Sequence, residues 1–167
     1  QNRDPRLSQT IRTQNYTYPE QSEVLQPDFN STTTGYQIAK YVTDVTTVNG
    51  TNAIPYMRYS EVLLNLAEAK AELGTIQQAD INKTINQLRG RVGMPDLVLT
   101  EANSHPDPYL AGLYTNLPAG GNQGLLLEIR RERRVELFME GLRYYDIVRW
   151  KEGQKFTKPS RGMYIAG

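Results

Sequence analysis

The chain of 167 residues has no cysteine, a single histidine (His105) and almost no net charge: 19 basic side chains stand against 18 acidic ones, for a formal +1. Without cysteine there is no disulfide scaffold, no thiol catalysis and no cysteine-ligated metal. One histidine leaves little from which to build a zinc site. A charge near zero excludes a general nucleic-acid binder, because affinity for phosphate needs a basic excess on some face. No apolar run approaches the roughly 18 residues that span a bilayer, and no basic-then-apolar leader opens the chain. This is the composition of one ordinary soluble domain or a piece of a larger one, and a start at Gln1 without methionine fits a piece.

The charge that is present is unevenly spread. Residues 125–152 hold 13 of the 37 charged groups, whereas residues 1–55 hold nine and are rich in Gln, Asn, Thr and Tyr, interrupted by Pro5, Pro19, Pro27 and Pro55. Residues 1–55 are therefore expected to be an irregular loop and strand segment, with a strand or two within Gln37 to Val48 ended by the Asn49-Gly50 turn signal. From Tyr56 the period changes. Tyr59, Val62, Leu63, Leu66, Ala67 and Leu73 recur at helical spacing, with Glu61, Asn65, Glu68 and Glu72 on the other face. Gly74 suits a left-handed cap, Thr75 with Gln78 reads as a capping box, and Ile81, Ile85, Leu88 and Val92 form a second stripe up to Gly93. Residues 56–93 are thus an antiparallel helix pair.

Residues 94–124, with four prolines and Gly120-Gly121, read as a long loop with one helical turn around Tyr109 to Tyr114. Residues 125–153 form a second helical block in which Gly141 either bends one helix or separates two; Val135, Phe138, Met139 and Leu142 continue its stripe, and Tyr145, Val148 and Trp150 supply bulk. Residues 154–167 read as an extended tail. The fold class is mainly α. Leu63, Leu66, Ala67, Gly74 and Ala79 fall at tetratricopeptide offsets, but Lys70, Lys83, Asn86 and Arg91 do not, so tetratricopeptide-like helix pairs fit and a regular solenoid does not.

Four arginines within Arg130 to Arg134 suggest a phosphate-binding helix, yet residues 125–152 contain seven basic and six acidic groups. Glu128, Glu132, Glu136 and Glu140 form an i, i+4 row of like charge that needs cations beside it. Glu128 with Arg131, Arg133 with Glu136, Glu140 with Arg143 and Asp146 with Arg149 supply them at i, i+3 spacing. The reading is a structural ion-pair network of Arg130, Glu132, Arg133, Arg134, Glu136, Glu140, Arg143, Asp146 and Arg149, because a planar guanidinium can serve two carboxylates while its stem covers apolar surface.

No catalytic set emerges. His105 has no nucleophile placed beside it by any motif and reads as a solvated loop residue. No carboxylate pair stands in a context that would raise one pKa selectively. Gly120, Gly121 and Gly124 lack the Lys and Ser or Thr of a phosphate loop, and there is no calcium-binding loop, so neither metal nor cofactor is expected. Eleven tyrosines are many for this length. Those in loop-rich segments could stack on a sugar ring while their hydroxyls bond it, which nominates Tyr16, Tyr18, Tyr36, Tyr109 and Tyr114 as ligand residues, with Asn116 and also Asn30 and Asn122 as hydrogen-bonding company. Trp150 reads as a core anchor.

Three blocks carry a family resemblance. Tyr56-Met57-Arg58-Tyr59-Ser60-Glu61-Val62-Leu63-Leu64-Asn65-Leu66-Ala67-Glu68-Ala69, followed by Ile81-Asn82 and Arg89 to Gly93, resembles the "RYAEVLLNYAEA … IN … R.RAG" pattern of SusD/RagB-like proteins. Ile129 to Trp150 is similar to that family's "RRERRIEL.FEG.R..DL.RW" block, and Asp4-Pro5-Arg6-Leu7 resembles its "D.RL". The resemblance implies the C-terminal portion of an outer-membrane lipoprotein of Bacteroidetes, held at the cell-surface face by a lipid anchor that this chain lacks. It implies a helix-pair scaffold whose loops bind an oligosaccharide and pass it to a SusC-like TonB-dependent transporter, without catalysis. A peptide in place of the glycan, or a helix-pair scaffold for a protein partner, is the alternative.

Overall fold

The computed structural model describes residues 3–25, 30, 32, 34–42, 53 and 55–159. The chain divides into two compact units, Gln1–Ile54 with Lys158–Gly167, and Pro55–Thr157. Among the described residues the structure is mainly helical, as the sequence predicts.

In the first unit a short helix, α1 (Leu7–Thr10), leads into an isolated antiparallel bridge between Ile11 and Ile38. Backbone bonds from Arg12 N–H to Gln37 O (2.8 Å) and from Ala39 N–H to Thr10 O (2.9 Å) flank that bridge. The strands expected within Gln37 to Val48 reduce to this bridge as far as Val42; residues 43–50 lie outside the described residues. Arg6 is buried and its guanidinium reaches back to Asp4 at 2.7 Å, which gives the Asp4 to Leu7 run a local folding role.

The second unit is built around α2 (Tyr59–Glu72) and α7 (Gln123–Glu136), which pack on each other. α2 ends in a Schellman cap: Gly74 sits at φ 70°, Thr75 N–H reaches Lys70 O at 3.0 Å, and Gly74 N–H reaches Ala71 O at 3.2 Å. Because this cap consumes the Thr75 N–H, the next helix starts two residues later than expected. Asp80 accepts from Gln77 N–H at 2.9 Å there, so the capping box is Gln77 with Asp80 rather than Thr75 with Gln78.

The second helix of the pair is broken into α3 (Gln78–Lys83) and α4 (Ile85–Arg91) at Thr84. Its hydroxyl donates to the carbonyl of Asp80 at 2.7 Å, a local bond that competes with the helix ladder. Ile81, Ile85 and Leu88 still form one buried stripe.

The α2 stripe differs from the expected one. Leu63, Leu64, Ala67 and Ala71 are buried together with Glu68, while Tyr59, Val62, Leu66 and Leu73 are exposed. The helix is turned so that Leu64, Glu68 and Ala71, one line along its surface, face inward, and Glu68 meets the cations described below.

Residues 94–124 are more ordered than a loop. They hold α5 (Leu99–Ser104) and α6 (Pro108–Leu113), the second capped by Asp107, which accepts from Tyr109 N–H at 2.8 Å and Leu110 N–H at 3.1 Å, with Pro108 at the first helical position. The entry to α5 is held by side-chain amides. Asn86 accepts from Leu97 N–H at 2.7 Å, and Gln78 accepts from Leu99 N–H at 2.8 Å. α5 lies so close to α7 that a Cβ on Gly124 would sit 2.0 Å from the Ala102 carbonyl oxygen.

Gly141, at φ 79°, separates α7 from α8 (Leu142–Arg149), which decides between the two readings of that glycine. A 3-10 helix, Gly153–Thr157, stands where the extended tail was expected; residues 160–167 lie outside the described residues. Tyr145, Val148 and Met139 are exposed, whereas Trp150 is buried.

Two apolar clusters result. The larger joins Leu63, Leu64, Ala67, Ile81, Ile85 and Leu88 to Leu125, Leu126 and Ile129 of α7. The smaller consists of Leu110, Tyr114, Leu127 and Trp150.

Candidate functional site

α7 carries charge into the interior on two faces. On one, Glu128 and Glu132 share Arg89 of α4 (2.7 and 3.1 Å), and Glu136 pairs with Arg91 (2.8 Å) and Arg58 (3.0 Å). Arg58 also binds Glu140 at 2.8 Å and donates to the Glu136 carbonyl oxygen at 2.8 Å, capping the C-terminal end of α7. The like-charge row of glutamates is thus neutralised mostly from other segments. Of the four i, i+3 pairs expected within the block, Glu128 with Arg131 and Asp146 with Arg149 form, at 2.6 and 2.8 Å. Arg133 and Glu140 instead take partners farther along the chain.

On the other face Arg133 holds Asp146 at 2.9 Å, lies 3.6 Å from Glu68 and donates to Asn65 Oδ1 at 2.6 Å. Glu68 also accepts from both terminal nitrogens of Arg149 (2.7 and 2.6 Å) and from the indole N–H of Trp150. Burial alone would lower the Arg149 pKa; Glu68 and Asp146 outweigh it and raise the group above its ordinary value.

Arg130 is 1% exposed and lies over Trp150 (4.5 Å) and Tyr114 (5.5 Å), with Glu152 3.6 Å away; burial holds its pKa below the ordinary guanidinium value despite Glu68 and Glu152. Burial would raise the Glu152 pKa, but bonds from Lys155 (2.7 Å) and Asn116 N–H (3.0 Å) hold it below the usual carboxylate value.

Two expected members of the network stand apart. Arg134 is exposed, with no ion pair among the described residues, because its position on α7 points away from both charged faces. Arg143 meets Tyr114 rather than Glu140: its Nη2 donates to the tyrosine hydroxyl at 3.2 Å, while Glu140 is taken by Arg58.

The nominated ligand residues are divided between the two units. Tyr114 is buried, edge-on to Trp150 at 5.6 Å, so it is a core residue and its nomination as a ligand contact is corrected. Asn116 is committed to the fold, its amide donating to Lys151 O at 2.7 Å, and Asn122 likewise donates to Ala71 O at 3.2 Å. Tyr109 and Tyr36 are 70% and 63% exposed, each in a different unit; Asn30 is exposed. His105 is exposed too, in a shallow depression of about 460 Å³ with Asp96, Glu101 and Asp107, where Arg89 is already turned to its glutamates. Among the described residues no group of acidic or histidine side chains is placed to hold a metal, and no helix is long and apolar enough to cross a membrane.

Tyr16 and Tyr18 do come together. Their rings meet edge-on at 5.9 Å and 73°, and the Arg12 guanidinium lies over both, at 5.4 and 4.9 Å. Arg12 donates from Nη1 to Gln37 Oε1 at 2.9 Å and from Nη2 to the Tyr18 hydroxyl. All four side chains are half-buried.

The sequence pattern of the SusD family matches residues 1–164. This chain belongs to the SusD family. Two crystal structures of SusD-family proteins from Bacteroides fragilis resemble it. One is described as a SusD-like carbohydrate binding protein, 28% identical with a TM-score of 0.64, the match covering 91% of this chain and 29% of that one. The other, a SusD-like protein, is 27% identical with a TM-score of 0.61, covering 91% and 28%. No curated protein matches. The chain therefore spans under a third of the length of its SusD-like structural relatives.

The SusD-family blocks prove to be the ion-pair framework: Arg58, Glu68, Arg89 and Arg91 of the first meet Glu132, Glu136, Glu140 and Arg149 of the second. The helical spacing puts Glu68 on the face opposite the apolar stripe, yet it is buried, because local periodicity cannot show which cations lie across the helix interface. Arg12 and Gln37 were missed, having only an arginine and an amide 25 residues apart as their signal.

Proposed function

We propose that this chain is the C-terminal, ligand-contacting portion of a SusD-like lipoprotein at the outer face of the outer membrane, which captures an oligosaccharide and passes it to a SusC-like TonB-dependent transporter. The observation that carries this reading is the family match over residues 1–164, together with a relative described as carbohydrate binding. The corner formed by Tyr16, Tyr18, Arg12 and Gln37 supports it, since aromatic faces beside polar tips are suited to the alternating C–H and hydroxyl surfaces of a sugar. Binding without catalysis is the chemistry this favours: Glu68, Glu128, Glu132, Glu136 and Asp146 are each engaged by a guanidinium inside the scaffold, so none of them is offered as one of the paired carboxylates that glycoside hydrolysis uses.

The exposed residues Tyr59, Val62, Leu66 and Leu73 on α2, with Tyr145 and Val148 on α8, favour a second reading as a helix-pair scaffold for a protein partner. Titration calorimetry of the protein against a panel of soluble oligosaccharides separates the two. Binding of at least one glycan, weakened by Tyr18→Ala, supports capture of sugar. Silence towards every glycan, with retained affinity for a transporter fragment, supports the scaffold.

A further inference from the structure

The buried guanidiniums of α7 have carboxylates beside them: Arg133 has Asp146 at 2.9 Å, and Arg130, whose Nε and Nη1 make no hydrogen bond among the described residues, has Glu152 at 3.6 Å as its counter-charge. Arg12 is surrounded differently. Its two acceptors among the described residues, the Gln37 amide oxygen and the Tyr18 hydroxyl, are both neutral, and no carboxylate among those residues pairs with it. Its Nε–H is buried with no hydrogen-bond partner among the described residues. A guanidinium has five N–H donors, of which two are used here. Among the described residues this half-buried cation has no counter-charge and no acceptor for the rest of its N–H groups, and a carboxylate supplies both, in a planar form that matches the guanidinium fork.

The surroundings restrict what carries that carboxylate. Tyr16 and Tyr18 stand at 73° to each other as two apolar walls of a corner, and Gln37 offers an amide at its edge. A flat apolar face next to an anionic group and hydroxyls is the description of a uronic acid residue, whose ring C–H face can lie on a tyrosine while its carboxylate meets the arginine. We infer that Arg12, Tyr16, Tyr18 and Gln37 form a subsite for the carboxylate-bearing sugar of an acidic oligosaccharide. This rests on the carbohydrate-binding reading above and narrows its ligand to a class.

The test is calorimetry of the whole chain with trigalacturonic acid and with its methyl ester, in which the negative charge is removed and the sugar kept. The acid is expected to bind about tenfold tighter or more, the size of a charge-assisted hydrogen-bonded contact. Raising the salt from low to physiological concentration should shrink that preference, Arg12→Gln should abolish it, and Arg12→Lys should keep part of it. Circular dichroism identifies any variant that fails to fold, in which case the salt dependence of the wild-type preference decides. Equal binding of acid and ester, or a preference that survives in folded Arg12→Gln, overturns the subsite and leaves the carbohydrate reading standing. Binding of neutral oligosaccharides alone has the same meaning. Failure of every glycan overturns both, as does affinity for an acidic peptide with none for trigalacturonate.

Discussion

Arginine is asked to do opposite things in the interior of Pro55–Thr157 and at Arg12. In Pro55–Thr157 it is an interior building material: Arg89, Arg130 and Arg133 are buried, and their charge is met by Glu128, Glu132, Glu152 and Asp146. In the other unit Arg12 is held open between two tyrosine rings on neutral acceptors. A guanidinium with carboxylates on its donors is finished as a binding group, because a ligand would have to displace an internal anion of equal strength. One held by an amide and a phenol has its direction fixed and its charge unspent. Residue type therefore says little about role until the counter-charge is located.

The sharpest way to break this contrast is to remove a carboxylate on the interior side. Glu68→Ala strips the acceptor shared by Arg149 and the Trp150 N–H and leaves Arg133 with one carboxylate fewer. It should lower the unfolding free energy by about 3–5 kcal/mol, the usual result of leaving a buried charge uncompensated. A urea titration reads this directly, and a loss below about 1 kcal/mol would place the cluster with screened surface pairs instead.

A smaller effect is expected in acid. The folded-state pKa of Glu152 lies below its ordinary value of 4.5, so the group adds stability above its unfolded pKa and loses that contribution as the pH falls through its folded one. Wild-type protein should therefore lose stability more steeply below about pH 4.5 than Glu152→Gln, and should be the more stable of the two near neutrality. Parallel stability curves for the two proteins would remove Glu152 from the account of the Tyr114 and Trp150 cluster. Smallest of all is Arg134→Ala. Its side chain is exposed and outside the network, so thermal unfolding should show a change within about 0.5 kcal/mol. A large loss would mean that the exposed arginine is not distinct from its buried neighbours.

The helices were legible where apolar periodicity and caps agreed, as at Leu63 and Ala67 with Gly74 behind them, and in the Ile81, Ile85 and Leu88 stripe. The inward turn of α2 was not, because it depends on Glu68 being drawn towards Arg149 and Trp150, some 80 residues away in the chain. α5 escaped notice for a related reason: its entry is held by the side chains of Gln78 and Asn86, which belong to earlier helices. The break at Thr84 turns on one hydroxyl choosing the Asp80 carbonyl. For the candidate site, abundance of tyrosine was visible but its division was not. Tyr114 and Tyr18 look alike in the sequence, and only packing sends one against Trp150 in the core and the other to Arg12.

The chain has one tryptophan, and it sits where α2, α7 and the end of α8 converge, its N–H on Glu68 and its ring faced by Arg130, Arg143 and Arg149 at 4.5, 5.5 and 4.9 Å. Optically, the molecule has been labelled at its own keystone. The emission colour of Trp150 reports the moment at which water reaches that junction, so the parting of α2 from α8 can be timed without adding a dye.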